Sequence, residues 1–234
     1  MSIPGLLGGS AMLTAVVPAG TAGFDLAAFF GSPPDPIVYQ LHIPSTVTAG
    51  APTWVFPNFC VDASGLHVDS VGWWFIQGKC LGAGGDGGDG GEIGLPYGGG
   101  GGGAGAIVGA GGLGTANGTD GAPGQEQVGG LPGVNSGTYI GPPQVPSVGN
   151  QGGDAVYLSH TITVFGSGQI GGGGGGGGGG TLLHPAPGGG GAIGLPPPVW
   201  SVGTAAGYAI RYVNASASAD VTGFTGSIDG NVGL

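Results

Sequence analysis

Positive charge is almost missing from this chain. Lys79 and Arg211 are its only basic side chains against 12 acidic ones, a net charge of −10. A surface without cations cannot neutralise phosphates, which excludes a nucleic-acid-binding footprint and leaves no basis for a nucleotide site. Attachment to an anionic membrane through a polybasic segment is excluded on the same ground. Cysteine is scarce as well. Cys60 and Cys80 are too few for a disulfide scaffold, and buried free thiols or a single bond between them both remain open. No amphipathic stretch with a 3.6-residue period runs beyond two turns, so helices contribute little. No apolar run is both long and glycine-free enough to span a bilayer, and the N-terminal MSIPGLLGGSAMLTAVV lacks the positive region of a signal peptide.

Glycine and proline take the place of what is missing: 63 and 19 of 234 residues. Such a composition ordinarily signals disorder. Here charged residues are 6% and hydrophobic residues 40%, with Trp73, Trp74, Phe75 and Ile76 in one run, so part of the chain folds around an apolar core. Strands are expected at Ile37–Ile43, where Ile37, Tyr39, Leu41 and Ile43 alternate with Val38, Gln40 and His42. Further strands are expected at 53–61, with Pro57 as an edge or bulge, at 66–71, at 73–76 after an interruption by Gly72, and at 155–165. The last candidates are 199–202, 208–213 and 219–221. Phe24–Phe30 reads as one helical turn or a strand, and residues 1–21 as an extended arm.

The organising feature is Ile170 followed by ten glycines, Gly171–Gly180. A glycine run is either a flexible linker or a left-handed extended helix with three residues per turn, whose N–H and C=O groups point sideways to neighbours. Two patterns favour the helix. In GGDGGDGGE the acidic Asp86, Asp89 and Glu92 are three apart, which puts them on one edge and leaves two all-glycine edges to pack. The segments 73–85, 160–174 and 219–232 also repeat the plan strand, turn, aliphatic residue, glycine, with Leu81, Ile170 and Ile228 as equivalents. The scaffold positions are Ile170, Gly171, Gly174, Gly177 and Gly180. The fold expected is mostly β with a sheaf of polyglycine II helices and almost no α-helix. Its divisions are an N-terminal arm (1–36), a strand region (37–81) and a glycine-rich sheaf with closing strands (82–234).

Chemical motifs do not survive inspection. Gly166-Ser-Gly168-Gln-Ile-Gly171 fits the dinucleotide pattern, but polyglycine follows it where a helix N-terminus is required. His42, His67, His160 and His184 lack metal-ligand spacing. Asp86, Asp89 and Glu92 read as a solvated edge rather than a calcium site. A protein without enzymatic activity, cofactor or metal is expected. The stretches 113–150 and 181–187 are rich in turn formers and read as recognition loops.

At "VGWWFIQGKCLGAGGDGGDGG" (71–91), "GGDAVYLSHTITVFGSGQIGGGGGGGGGG" (152–180) and "TGSIDGNV" (225–232) the chain resembles the glycine-rich receptor-recognition domains of tailed-bacteriophage tail-tip and tail-fibre proteins. The resemblance covers roughly residues 37–234. It departs in the turns, usually asparagine-glycine, which are Gln77-Gly78 and Ser167-Gly168 here. It implies a virion protein at the distal end of the tail, whose loops bind a host outer-membrane protein, glycan or pilus. The N-terminal region would attach to other tail proteins, a homotrimer is one possible assembly, and neither nucleic acid nor membrane insertion is involved. The receptor-binding residues expected are Asn117, Thr119, Asp120, Gln125, Glu126, Asn135, Tyr139, Leu182, Leu183 and His184. The alternative role is a structural cap of the tail tip or fibre.

Overall fold

The computed structural model describes residues 12–53, 55, 58–91, 97–114, 119–134, 147–180, 187, 190–197 and 204–234. Among these the chain is nearly all extended. Its strands are β1 (Leu13–Val16), β2 (Phe24–Asp25), β3 (Val38–Ile43), β4 (Thr48–Gly50), β5 (Val61–Ala63), β6 (Val71–Ile76) and β7 (Lys79–Leu81). They continue with β8 (Val156–Leu158), β9 (Thr161–Phe165), β10 (Gln169–Gly171), β11 (Tyr208–Tyr212), β12 (Ser218–Asp220), β13 (Ser227–Asp229) and β14 (Asn231–Gly233). The helix is one turn, α1 (Leu26–Phe29), capped by the Asp25 carboxylate, which accepts from the Ala28 N–H at 2.9 Å.

Every ladder is parallel. Sheet A has the order β1-β3-β6-β9-β12, sheet B β13-β10-β7-β4, and sheet C β14-β11-β8-β5-β2. From β3 onward the chain visits A, B and C in turn, so successive coils stack into a three-sided solenoid. One hydrophobic core fills it, with Tyr39, Leu41, Trp74, Ile76, Ile162 and Val164 from sheet A meeting Ile170 from B and Val61, Val156 and Ile210 from C. Alternation sets this arrangement: in β3 and β6 every second side chain is buried, so Trp74 enters the core while Trp73 faces outward. On the outer face of sheet A, His42, Phe75 and Phe165 stack ring on ring, with centroids 4.9 and 5.4 Å apart.

The core holds one polar chain. The Trp74 indole N–H donates to the Tyr39 hydroxyl at 2.9 Å, and that oxygen lies 2.8 Å from Nε2 of His160. An indole can only donate, so the Tyr39 proton is free for Nε2, which places the imidazole proton on Nδ1, 3.3 Å from Ser159 Oγ. Ser159 Oγ in turn lies 3.1 and 3.0 Å from the Ala63 and Leu66 carbonyls. Burial holds the neutral imidazole, lowering the His160 pKa to about 4, and pushes the Tyr39 phenol well up.

Several expectations are corrected here. Within the expected extended arm, residues 13–16 form a strand of sheet A, paired with β3. Of the stretch 53–61, residues 54, 56 and 57 lie outside the described ones and the others before Val61 are not in a strand, and 66–71 is not a strand before Val71; the ladders are made by 48–50, 61–63 and 71–76. Gly72 does not interrupt β6. Its missing side chain makes room for the Tyr39 ring, whose Cζ a Cβ would approach to 2.6 Å. Residues 155–165 divide into β8 and β9 at Ser159-His160. In the repeat, Ile170 pairs with Ile228 and with Cys80 rather than Leu81, because ladder register, not spacing from the glycine block, sets the equivalence. The division at 81/82 is no structural boundary, since β8–β14 stack on the strands before it. Of the candidate strand 199–202, all residues lie outside the described ones.

Candidate functional site: the glycine sheaf and its two ends

The chain leaves the solenoid twice, after β7 and after β10, and both times it returns to sheet C, at β8 and β11. The excursions therefore start from the same corner of adjacent coils. They build a bundle of extended rods: 82–91, 98–105, 107–114, 119–125, 128–134, 147–154, 171–180, 190–194 and 204–207.

Hydrogen bonds between rods recur every third residue. Gly82, Gly85, Gly88 and Gly91 donate to the carbonyls of Gly171, Gly174, Gly177 and Gly180, and Gly84, Gly87 and Gly90 donate to Ile107, Ala110 and Leu113. Gly173, Gly176 and Gly179 donate to Gly153, Asn150 and Ser147, and Gly174, Gly177 and Gly180 to Ala104, Gly101 and Gly98. Each rod thus satisfies its backbone through its neighbours rather than within itself. None of the glycines in 82–91, 98–105 or 171–180 has a positive φ.

Composition follows position in the bundle. The 98–105 rod is bonded to 82–91, 107–114, 119–125, 128–134, 171–180 and 190–194, which enclose it. The decamer is bonded to 82–91, 98–105, 147–154, 190–194 and 204–207. Added Cβ atoms at Gly172, Gly173 and Gly174 would collide with the carbonyls of Gly207, Ala83 and Gly191, one on each edge. Gly98, Gly99 and Gly100 meet Gly133, Gly112 and Gly177 in the same way. At these glycines no edge of either rod has room for a side chain; Ala104, near the root of the 98–105 rod, carries one, buried with Leu81 and Ile193. The 82–91 rod has two such edges, facing 147–154 and 98–105, and a third that bears Ala83, Asp86 and Asp89. These carboxylates do more than meet solvent: Asp86 accepts from the Ala110 N–H at 2.8 Å and Asp89 from the Leu113 N–H at 2.7 Å. Glu92 lies outside the described residues.

The bundle has a proximal and a distal end. At the root, Ala106 donates to Gly82 and Gly105 to Gln125. Asp154, almost fully buried, accepts from the Tyr208 N–H at 2.7 Å and from Arg211 Nη1 at 2.8 Å, which joins the returning limbs of both excursions. Arg211 also lies 4.9 Å over the Tyr208 ring. At the other end of the decamer, the far end is formed by Gly91, Gly98, Gly114, Thr119, Val134, Ser147 and Gly180.

The expected receptor-binding residues divide between these ends. Thr119 and Asp120 are exposed at the far end, where they bind neighbouring rods: the Val134 N–H donates to Thr119 Oγ1 at 2.7 Å and the Gly114 N–H to Asp120 Oδ1 at 2.8 Å. Gln125 and Glu126 are at the root, against the solenoid. Glu126 pairs with Lys79 of β7, and Gln127 exchanges hydrogen bonds of 3.0 and 3.2 Å with Gln169 of β10. That Lys79 partner holds the Glu126 carboxyl below its ordinary pKa. Asn117, Asn135, Tyr139, Leu182, Leu183 and His184 lie outside the described residues. The stretch 113–150 is not all loop, since 119–125, 128–134 and 147–150 are rods.

An exposed row went unnoticed in the sequence. Val128, Leu131 and Val134, three apart on a peripheral rod, are 58, 74 and 64% exposed, and Ile107 and Leu113 form a similar row on another. The signal was available as the spacing of V-G-G-L-P-G-V at 128–134.

No family model matches the chain, and none of the curated proteins compared with it does. Among solved structures it is similar to the gp37–gp38 adhesin tip complex of the bacteriophage S16 long tail fibre. The identity is 14% and the TM-score 0.39, over 93% of this chain and 82% of that one.

Proposed function

We propose that this chain is a bacteriophage tail-tip receptor-binding protein, in which a polyglycine II sheaf holds recognition segments at its far end and no chemistry is performed. The observation that carries the reading is geometric. The described residues that flank 92–96, 115–118 and 135–146, together with Gly180 before 181–186, converge on the end of the sheaf remote from the solenoid. Chain ends gathered at one end of a cross-bonded bundle suit a binding surface built on a rigid support. The order of strand motif and glycine block, similar to that of phage receptor-recognition domains, supports the same reading. The host-facing set is then Asn117, Thr119, Asp120, Asn135, Tyr139, Leu182, Leu183 and His184, with Tyr139 as the amphipathic anchor. The N-terminal coils of the solenoid would attach to other tail proteins.

Deleting 113–150 would remove rods of the sheaf, so a point substitution is the cleaner test. Labelled protein should bind host cells saturably and receptor-deficient cells not at all. Tyr139→Ala should abolish that binding while the melting curve stays unchanged. Undiminished binding by Tyr139→Ala would remove Tyr139 as the anchor, and absence of saturable binding would remove the adhesin assignment.

The exposed row Val128, Leu131 and Val134 favours the second reading, a structural cap, since unpartnered apolar rows suit burial against another tail protein. Leu131→Asp should then prevent incorporation into particles. In an adhesin that attaches through its solenoid it should leave incorporation intact.

A further inference from the structure

Cys60 directly precedes β5 on sheet C, and Cys80 is the middle residue of β7 on sheet B, one coil further on. Both are fully buried, and their sulfurs are 2.8 Å apart. Two non-bonded sulfurs do not ordinarily rest so close, and less than about 1 Å of approach separates them from a bond length of about 2.05 Å. The two other inward positions at this corner of the same two coils are small. Ala49 is the register partner of Cys80, and Ala155 holds the place on sheet C that Cys60 holds one coil earlier. The side chains of both cysteines therefore meet diagonally across the corner between sheets B and C, with no bulk between them.

That corner is the root of the sheaf: the chain leaves it at Leu81-Gly82, immediately after Cys80, and returns at Asp154-Ala155. We propose that Cys60 and Cys80 form a disulfide that staples two adjacent coils of the solenoid at the point where the glycine rods are rooted. The oxidant is a disulfide donor of the glutathione class. The thiolate of one cysteine attacks the donor's S–S bond and releases one donor thiol. The second cysteine then attacks the resulting mixed disulfide, so that the Sγ–Sγ bond forms and the second donor thiol leaves. Two protons and two electrons pass from the cysteines to the donor. Burial and the neighbouring Cys60 raise the Cys80 thiol pKa well above its ordinary value, so the reduced folded protein reacts slowly and the bond forms as the chain folds. Its effect is on the unfolded chain, which it closes into a loop between positions 20 apart.

The test is to refold the full chain in a buffer of oxidised and reduced glutathione, and separately in reductant. Each sample is quenched in acid, unfolded, alkylated and weighed intact. The proposal expects the first sample to be monomeric, unalkylated and lighter by two hydrogens, with a melting midpoint above that of the reduced sample. The double variant Cys60→Ser, Cys80→Ser should melt at the same temperature in both buffers. Reduced native protein exposed to the same donor should oxidise more slowly than refolding protein. Two alkylated cysteines after refolding, a bond between chains, or equal midpoints for the oxidised and reduced forms would overturn it.

Discussion

Glu126 and Lys79 form an ion pair between the turn that joins two sheaf rods and the outer face of sheet B. The contact commits Glu126 to holding the root of the sheaf, at the end opposite the one assigned to recognition. Glu126→Gln should therefore leave cell binding unchanged. Both side chains are partly exposed, so the loss of stability should be small, about 0–1 kcal/mol. Because Lys79 lowers the Glu126 pKa, this contribution is present above the ordinary glutamate pKa and disappears as pH falls through the lowered one. Cell binding and thermal melting at several pH values check both points; weakened binding at unchanged stability would return Glu126 to the recognition surface.

A second pH dependence comes from the core. The folded-state pKa of His160 is about 4 against 6.5 for the free side chain, so on acidification the unfolded chain takes up a proton first. Stability from this group should be complete above pH 6.5 and decline progressively toward pH 4, by roughly 3 kcal/mol in all. Denaturant unfolding between these limits measures it. His160→Gln should lower stability at neutral pH and flatten the slope in this window; an unchanged slope would mean that other groups carry it.

Position within the bundle, rather than glycine content, should govern tolerance to substitution. At Gly101 a Cβ would strike the Gly130 carbonyl, so Gly101→Ala should destabilise by about 2–3 kcal/mol or more. Leu131→Ala, on the exposed row, should change stability by no more than about 0.5 kcal/mol. Equal effects in chemical unfolding would contradict a close-packed sheaf.

Gly72→Ala tests the solenoid separately. The added methyl would press on the Tyr39 ring and on Trp74 Nε1, disturbing the Tyr39–Trp74–His160 chain. A loss of about 1–3 kcal/mol is expected. Tyr39→Phe in the same background should not recover the loss, because ring Cζ stays 2.6 Å from the added Cβ and the buried Trp74 N–H and His160 Nε2 lose their partner.

By itself the sequence determined the local periods. Alternation in Val38–Ile43 and Val71–Ile76 marks strands because every second side chain must face the core, and the three-residue spacing of Asp86 and Asp89 marks an edge because the other two edges have no space for a Cβ. Short elements such as Thr48–Gly50 and Val61–Ala63 carry too few residues to show a period, and ladder pairing alone selects them. The tertiary structure decided which pieces meet. Parallel register put Cys80 rather than Leu81 level with Ile170, and gathered strands from residue 13 to residue 233 into one solenoid. It also turned 119–134 from loops into rods and carried Gln125 and Glu126 to the root while Thr119 stayed at the far end. Lateral hydrogen bonds between rods make these choices, and they join residues distant in the chain, such as Gly82 to Gly171.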